Sequence, residues 1–281
     1  MAEVKITAAL INELRQTTGA GMMDCKKALE ETAGDFEAAI EYLRKKGQKV
    51  AAKRADREAK EGAAIALASA DGKRGIALVV TSETDFVAKN ADFVAFANQV
   101  AQLALEKYPA TKEELLATSF DGSISLEERL AAEVGKIGEK IEVSKYQRLE
   151  GELVVPYIHA GNKIGVLVAL NKQGNDAFIT AGKDIAMQTA AMSPVALDES
   201  LVTPETIEKE LEIYRDQARQ EGKPENMLDK IAQGKLQRFF KDSTLLNQQF
   251  VKNNELTVRQ YLKTIDKDLA ATGFCRVAIG S

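Results

Sequence analysis

Side chains able to carry covalent chemistry are scarce in this sequence. His159 is its one histidine, so paired imidazoles for a metal are ruled out and a hydrolytic triad would have to use this residue. No serine stands in a nucleophile elbow, and the glycine-rich loops that cradle phosphates do not occur. We therefore predict that the protein is not an enzyme and has no metal or cofactor. By base rates His159, at a predicted strand end, is a turn or surface histidine.

Two short stretches instead offer apolar side chains for noncovalent binding. Thr84 and Asp85 suit a helix cap, which would put the next residue, Phe86, in the exposed first turn of a helix. A place for Phe86 in the core is the alternative. Met22 and Met23 are consecutive helical residues that cannot both face inward, so we expect one of them to meet solvent or a partner.

A basic stretch, residues 44–60, is the one local feature that suggests nucleic acid. It contains Asp56 and Glu58 against eight basic residues: Arg44, Lys45, Lys46, Lys49, Lys53, Arg54, Arg57 and Lys60. Single-strand binding sites combine basic residues with aromatic ones, and no aromatic residue lies among these eight. The whole chain has a net charge of −4 and a pI near 5.4, which argues against a nucleic-acid-binding surface. We interpret the stretch as a solvated helix end or linker.

The composition is that of an ordinary soluble protein, with 45% hydrophobic and 28% charged residues. No apolar run approaches the length of a membrane span. The first sixteen residues include Glu3 and Glu13 and are typical of an amphipathic helix, not of a basic leader before an apolar region. Cys25 and Cys275 lie 250 residues apart and fit free thiols in a reducing compartment. We predict a cytoplasmic protein without membrane contact.

The first fifty residues predict three short helices. Thr7 is placed to cap the first, the second runs from Met22 to Glu31, and Asp35 begins the third. Gly47 stands where a glycine often ends a helix, so we expect the third helix to end there. Such a bundle has a thin core and is expected to lean on a partner or on the rest of the chain.

The remaining chain predicts an α+β fold with a degenerate duplication. A hairpin followed by a helix occurs twice, and the distances Phe93 to Pro109 and Phe178 to Pro194 are both 16 residues. Each copy then closes with a further helix and a strand. Between hairpin and helix, the first copy has 12 residues (81–92) and the second has 7 (171–177). Because the fold itself does not need the five extra residues, we interpret them as functional.

An insertion in the second copy predicts two helices joined by a tight turn at residues 221–224. Such a helical hairpin must project from a compact lobe. The predicted domain boundaries are 1–55 for the N-terminal helices and basic linker, 56–146 for the first half of the core, 147–193 with 242–281 for the second half, and 194–241 for the hairpin.

Two stretches, LRQTTGAGMMDCKKALEETAGDFEAAI and ETDFVAKNADFVAFA, closely resemble the signatures of the bacterial elongation factor Ts family. The resemblance extends over nearly the whole chain. It implies an α+β protein with an N-terminal three-helix, UBA-like bundle, a core of two related halves with antiparallel sheets, and an inserted antiparallel helical hairpin. It also implies guanine nucleotide exchange on the GTPase elongation factor Tu during translation elongation.

The resemblance further implies roles for single residues. The segment that enters the GTPase near its nucleotide and disturbs the structure holding Mg²⁺ matches Thr84, Asp85, Phe86 and Val87. The residues that contact the GTPase from elsewhere match Arg15, Met22, Met23 and His159. Elongation factor Tu is thus the expected partner, and no direct nucleic-acid binding is expected.

Two questions stay open at this level. The helical hairpin could pair two copies of the chain, in a homodimer or a 2:2 complex, or could contact the GTPase alone. A binding module without exchange activity, associated with RNA or the ribosome through residues 44–60, is the alternative function. That alternative predicts steeply salt-dependent RNA binding that weakens when Lys53 and Arg54 are neutralised.

Overall fold

The computed structural model describes residues 6–159 and 161–280, which contain both helices and strands. Residues 1–5, the start of the predicted amphipathic segment, lie outside this part. The α-helices are α1 (Ala8–Thr18), α2 (Met22–Glu31), α3 (Phe36–Arg54), α4 (Asp85–Ala88), α5 (Ala91–Lys107), α6 (Lys112–Ala117), α7 (Leu126–Ile137), α8 (Asp176–Met192), α9 (Pro204–Gln220), α10 (Glu225–Ser243) and α11 (Val258–Ile265). The strands are β1 (Glu61–Ala68), β2 (Arg74–Ser82), β3 (Glu142–Glu150), β4 (Leu153–His159), β5 (Ile164–Leu170), β6 (Gln249–Phe250), β7 (Asn253–Thr257) and β8 (Ala271–Ala278).

The three N-terminal helices begin where their capping residues predict. The Thr7 side chain accepts a hydrogen bond from the Leu10 amide at the start of α1, and Asp35 accepts one from the Ala38 amide at the start of α3. Gly19 ends α1 in the left-handed conformation that glycine adopts without strain. The helices share a small core: Leu14, Cys25, Ala28, Leu29 and Ala39.

The expectation that α3 ends at Gly47 is wrong, because the helix continues to Arg54. Gly47 instead lies buried where α3 crosses α7. A Cβ atom at Gly47 would lie 2.9 Å from the carbonyl oxygen of Ala131, and one at Gly135 would lie 2.7 Å from the Cα atom of Gly47. The two glycines therefore let the helix backbones touch, and α3 fastens the N-terminal helices to α7.

The two copies of the repeat have the same sheet topology. Strand order is β1-β2-β3 in one sheet and β4-β5-β8 in the other, so the closing strand always lies beside the second hairpin strand. In the second sheet β4 and β5 run antiparallel, with Leu153 opposite Leu170 and His159 opposite Ile164. Both closing helices, α7 and α11, begin with a capping box. The predicted α+β class with antiparallel sheets is confirmed.

Residues that join hairpin to helix differ between the copies. The first connection is residues 83–90 and contains the one-turn helix α4, whereas the second connection is residues 171–175. The difference is therefore three residues, not five, because β2 continues to Ser82 and α5 already begins at Ala91. The first connection is nevertheless the longer of the two, as the sequence predicts.

The insertion in the second copy forms the helices α9 and α10, joined at residues 221–224 and packed on each other. Gly222 makes the turn with a left-handed backbone. Ala218 and Leu228 are buried between the helices. Ion pairs flank this apolar seam, with Arg215 2.7 Å from Asp229 across the hairpin.

Close contacts divide the chain into two compact units. One contains residues 1–65, 78–147 and 277–281, and the other residues 66–77 and 148–276. The predicted domain boundaries stay a prediction. Within the described residues, no helix is both long enough and apolar enough to cross a membrane.

Both cysteines are free thiols. Cys25 is buried in the core of the N-terminal helices, within 3.6 Å of the Ala20 carbonyl oxygen. Cys275 is partly buried on β8, with its sulfur 3.6 Å from the Arg148 carbonyl oxygen. The prediction of free thiols is confirmed.

Candidate partner-binding site

The first connection holds Phe86 out into solvent. Thr84 caps α4, accepting a hydrogen bond from the Val87 amide at 3.4 Å, and the Ser82 hydroxyl donates to the Thr84 carbonyl oxygen at 3.1 Å. Every residue of α4 is at least partly exposed, and the Phe86 side chain is 83% exposed. The cap thus has the effect that the sequence predicts, and the alternative of Phe86 in the core is wrong.

A phenylalanine seven residues further along gives a direct contrast. Asn90 caps α5, accepting hydrogen bonds from the Asp92 amide at 2.8 Å and the Phe93 amide at 3.4 Å. Phe93 is only 1% exposed and belongs to the core. Since Phe93 supplies the core contact, Phe86 is not needed for the packing of this copy.

Charged groups surround the exposed ring. Asp85 and Lys89, four residues apart, form an ion pair of 2.7 Å on α4 and its C-cap. The hydrogen bond and charge of Lys89 lower the pKa of the Asp85 carboxyl below its ordinary value, and Asp85 in turn raises the pKa of Lys89. The turn therefore presents an apolar ring next to a carboxylate and an ammonium group.

Two hydrogen-bonding carboxylates that the sequence analysis missed tie this turn to residues 139 and 140. Glu139 accepts hydrogen bonds from the Thr84 hydroxyl at 2.7 Å and from the Thr84 amide at 3.0 Å. In the opposite direction, Glu83 accepts one from the Lys140 amide at 2.6 Å. The Arg54 guanidinium, at the end of α3, donates to the same Glu83 oxygen at 2.7 Å.

These contacts lower the pKa of Glu83, with the Lys140 amide as the largest cause and Arg54 as a further one. The carboxylate is thereby kept ionised, as an acceptor for both donors. The contacts of Glu139 and Lys140 with this turn could not be predicted from a local sequence pattern, because these residues lie more than fifty residues from Glu83 and Thr84.

Arg15, Met22 and Met23 cluster at the turn between α1 and α2. Arg15 lies in the last turn of α1, and its carbonyl oxygen accepts the hydrogen bond from the Gly19 amide that closes the helix. Met22 and Met23 form the first turn of α2 and are both exposed. The expectation that at least one of the two methionines meets solvent is confirmed, and the first buried side chain of α2 is Cys25.

His159 ends β4, as the sequence predicts, and lies in the other compact unit. The Tyr157 hydroxyl is 2.9 Å from its Nδ1 atom, and the two rings are 5.9 Å apart. Tyr157 thus orients the imidazole from the same strand. The neighbouring Ile158 is exposed, so the strand end presents an imidazole beside an apolar side chain.

Half of the basic residues in the stretch 44–60 form ion pairs. Its first part continues α3, and Arg54 holds Glu83. Four of its eight basic residues pair with carboxylates: Lys45 with Glu41, Lys46 with Asp24, Arg54 with Glu83 and Lys60 with Glu58. The pair between Arg54 and Glu83 gives this part of the stretch a structural role, and RNA binding by the stretch stays an untested alternative.

No group of three or more potential metal-ligating side chains comes together in the described parts of the chain. The described geometry around Phe86 offers apolar area beside charged and hydrogen-bonding groups. Such a surface can bind, and by binding can favour one conformation of a partner over another.

Comparison with known proteins identifies the family. A family model described as Elongation factor TS matches residues 83–281. A protein named Elongation factor Ts from Christiangramia forsetii is 56% identical over 276 residues, which cover 98% of this chain and 99% of that protein. Proteins of the same name from Amoebophilus asiaticus and Flavobacterium psychrophilum are 53% and 52% identical, with the same coverage of 98% and 99%.

Proposed function

Because this chain belongs to the elongation factor Ts family, we propose that it is a guanine nucleotide exchange factor for elongation factor Tu. In this role it binds the GDP-loaded GTPase and promotes GDP release, so that GTP can load during translation elongation. The exchange makes and breaks no covalent bond, which agrees with the lack of a catalytic motif in the sequence.

The exposed ring of Phe86 is the observation that carries the proposal. A ring that is 83% exposed can lose almost all of its contact with water when it enters a pocket of the partner. Burying a phenylalanine side chain is favourable by about 2 kcal/mol. This is roughly a thirtyfold change in an equilibrium constant, available to distort the partner if the pocket opens only in the nucleotide-free form.

The target of the distortion is Mg²⁺ in the GTPase. Thr84, Asp85, Phe86 and Val87 together enter the partner near its nucleotide and dislocate the ion. Mg²⁺ bridges phosphate and protein oxygens, so its loss removes one of the largest attractions that hold GDP. The coupling is reciprocal, and excess GDP or GTP must therefore expel the exchange factor in turn.

Arg15, Met22, Met23 and His159 serve binding more than distortion in this proposal. The exposed methionines offer flexible apolar area, and the orientation of His159 by Tyr157 suits a directed hydrogen bond. Substitution of these residues should raise the concentration needed for half-maximal exchange. Substitution of Phe86 should lower the maximal rate instead.

Release of a fluorescent GDP analogue from elongation factor Tu tests the proposal. The wild-type protein should accelerate release, and Phe86→Ala should reduce the maximal acceleration by about tenfold or more. Val251→Ala is a matched control, because it also truncates an exposed apolar residue but lies far along the chain from the first connection. This variant should accelerate release as the wild type does.

Two results would count against the proposal in different ways. If the wild type fails to accelerate release from a GTPase shown to be competent, the exchange function is wrong. If Phe86→Ala exchanges normally, the function stands but the role of Phe86 is wrong. A lowered melting temperature of Phe86→Ala would show that the ring supports the fold.

The α9–α10 hairpin is the proposed site of any contact between copies of the chain. Ile213 and Met227, one on each helix, are exposed. We keep a homodimer or a 2:2 complex with the GTPase as a proposal, with sedimentation of the protein alone and in complex as its test. Direct nucleic-acid binding is not proposed.

A further inference from the structure

The helix that carries Phe86 is too short to fix its own direction. α4 consists of residues 85–88, a single turn, and one helical turn is unstable without external contacts because nucleation is costly. None of its side chains is fully buried, so packing against the core holds it only in part. Hydrogen bonds at the ends of the turn therefore contribute to setting the direction in which α4 presents the Phe86 ring.

The contacts at the N-terminal end of α4 form a reciprocal clasp, which consists of Glu83, Thr84, Glu139 and Lys140. Each of the two segments accepts a hydrogen bond from a backbone amide of the other. The Glu139 carboxylate accepts from the Thr84 amide at 3.0 Å, and the Glu83 carboxylate accepts from the Lys140 amide at 2.6 Å. The second carboxylate oxygen of Glu139 accepts a hydrogen bond from the Thr84 hydroxyl at 2.7 Å. Hydrogen bonds to an ionised acceptor are among the stronger ones in proteins.

Glu139 acts at the point that determines the start of α4. Thr84 is the N-cap of this helix, and the oxygen that accepts the Val87 amide belongs to the hydroxyl that donates to Glu139. One carboxylate accepts hydrogen bonds from both the amide and the hydroxyl of Thr84, so it restrains the backbone and the side chain of this residue together. The helix turn, and Phe86 with it, starts from a fixed residue.

We propose that Glu139 is a positioning residue for nucleotide exchange, which orients Phe86 by holding Thr84 with both carboxylate oxygens. This inference rests on the proposed function and adds a residue outside the segment that enters the GTPase. A preoriented ring loses less conformational freedom on insertion into the partner. Loss of the clasp should therefore weaken the same step as loss of the ring, without removing any contact surface.

A double-mutant cycle distinguishes positioning from general support of the fold. Glu139→Ala alone should reduce the maximal GDP release rate about five- to tenfold. In the Phe86→Ala background the same substitution should reduce it by less than twofold, because the ring that Glu139 orients is already gone. Glu139→Gln retains one acceptor oxygen and should recover part of the activity.

Glu128→Ala is the matched control. Glu128 also bonds the backbone amide of a helix-capping residue, Ser125 at 2.9 Å, but it serves α7 and not α4. Its loss should lower the melting temperature while the exchange rate stays at the wild-type level. Thr84→Val, which removes both the hydroxyl hydrogen bond to Glu139 and the cap of α4, provides a second test if Glu139→Ala does not fold.

The outcomes separate this inference from the proposed function. If Glu139→Ala and Phe86→Ala reduce exchange independently, so that their factors multiply, Glu139 does not act through Phe86. An unchanged rate in a folded Glu139→Ala protein would overturn the inference as well. In either case wild-type exchange, and its loss in Phe86→Ala, would leave the function itself intact.

Discussion

The first connection, residues 83–90, and the second, residues 171–175, join equivalent elements in the two copies of the repeat. The helices that follow, α5 and α8, are both 17 residues long and begin with an asparagine cap, Asn90 or Asn175. A buried phenylalanine stands three residues after each cap. Each helix ends at a residue in the left-handed conformation, directly before a proline.

Both connections are also tied to the segment before the closing strand of their own copy. In the first copy the clasp performs this task. In the second, the Asn171 amide bonds the Ala270 carbonyl oxygen at 3.0 Å, and the Asn171 side chain accepts from the Ala270 amide at 2.8 Å. Lys172 adds an ion pair of 2.6 Å with Asp266.

The fold therefore needs a tie and a helix cap at this place, and five residues suffice for both. What the first copy adds is a turn of helix with an exposed aromatic ring. An exposed ring outside the core is compatible with the proposed role of Phe86 in partner binding. In that proposal the difference between the copies serves function, and what they share serves stability.

Substitution of the phenylalanines should give the largest effects on the free energy of unfolding. Phe93→Ala and Phe178→Ala should each lower the free energy of unfolding by about 3–5 kcal/mol, since these side chains are 1% and 9% exposed. Phe86→Ala should change it by less than about 0.5 kcal/mol. Urea denaturation followed by circular dichroism measures all three. A large loss in Phe86→Ala, or a small one in Phe93→Ala, would contradict the assignment.

Helix caps give a smaller effect that should be equal in the two copies. Asn90→Ala and Asn175→Ala should each cost about 1 kcal/mol, because both side chains accept a hydrogen bond from the amide of the buried phenylalanine. Asn→Asp at either position keeps the acceptor and serves as the control. The same urea titration is the measurement, and strongly unequal losses would argue against equivalent helix starts.

Acid should lower the stabilisation that Glu83 gives to the first connection, and to a smaller extent the stabilisation that Asp266 gives to the second. The Lys140 amide and Arg54 lower the pKa of Glu83, and Lys172 and the Asp268 amide lower that of Asp266. The stabilisation by each is complete above the ordinary values of 4.5 and 3.8 and is lost as the pH falls through the lower pKa of the folded state. The Glu83 side chain is 18% exposed, against 31% for Asp266.

Glu83→Gln should therefore lower the free energy of unfolding by roughly 0.5–1 kcal/mol at neutral pH, and Asp266→Asn by less. Glu83→Gln should approach the wild type as the pH falls below 4.5, and Asp266→Asn as it falls below 3.8. Urea titrations in a series of buffers from neutral to acid pH follow the difference. A gap between Glu83→Gln and wild type that persists in acid would mean that the carboxylate charge is not the cause.

Features with a local cause could be predicted from the sequence. A cap is decided within four residues, so Thr84 was enough to place Phe86 outside the core. Repeated spacing likewise revealed the two copies, because the helices and the strands that surround them have nearly equal lengths. The roles of Arg15, Met22, Met23 and His159 in partner binding stay predictions.

Gly47 shows why the end of α3 could not be predicted. Glycine occurs both at helix ends and where two backbones touch, and the sequence near Gly47 does not distinguish these uses. The distinguishing neighbours, Ala131 and Gly135, lie in α7. Only the folded chain brings them together.

The clasp was beyond prediction for the same reason. Glu139 is one acidic residue among many, and its charge does not reveal that Thr84 is its partner 55 residues away. The short elements α6, β6 and β7 were also not predicted, since a few residues hold too little periodicity to detect.

The two native cysteines should compete little with a cysteine introduced in the first connection, because Cys25 is buried and Cys275 is partly buried. This allows selective chemical labelling of that connection. Burial raises the pKa of the Cys25 thiol, and it raises the pKa of Cys275 to about 11. The thiolate is the reactive form, so at neutral pH Cys275 should react far more slowly than an exposed cysteine, which ionises to a few per cent. In a Phe86→Cys variant a maleimide dye should therefore attach first at position 86, and its fluorescence would show whether elongation factor Tu covers that turn.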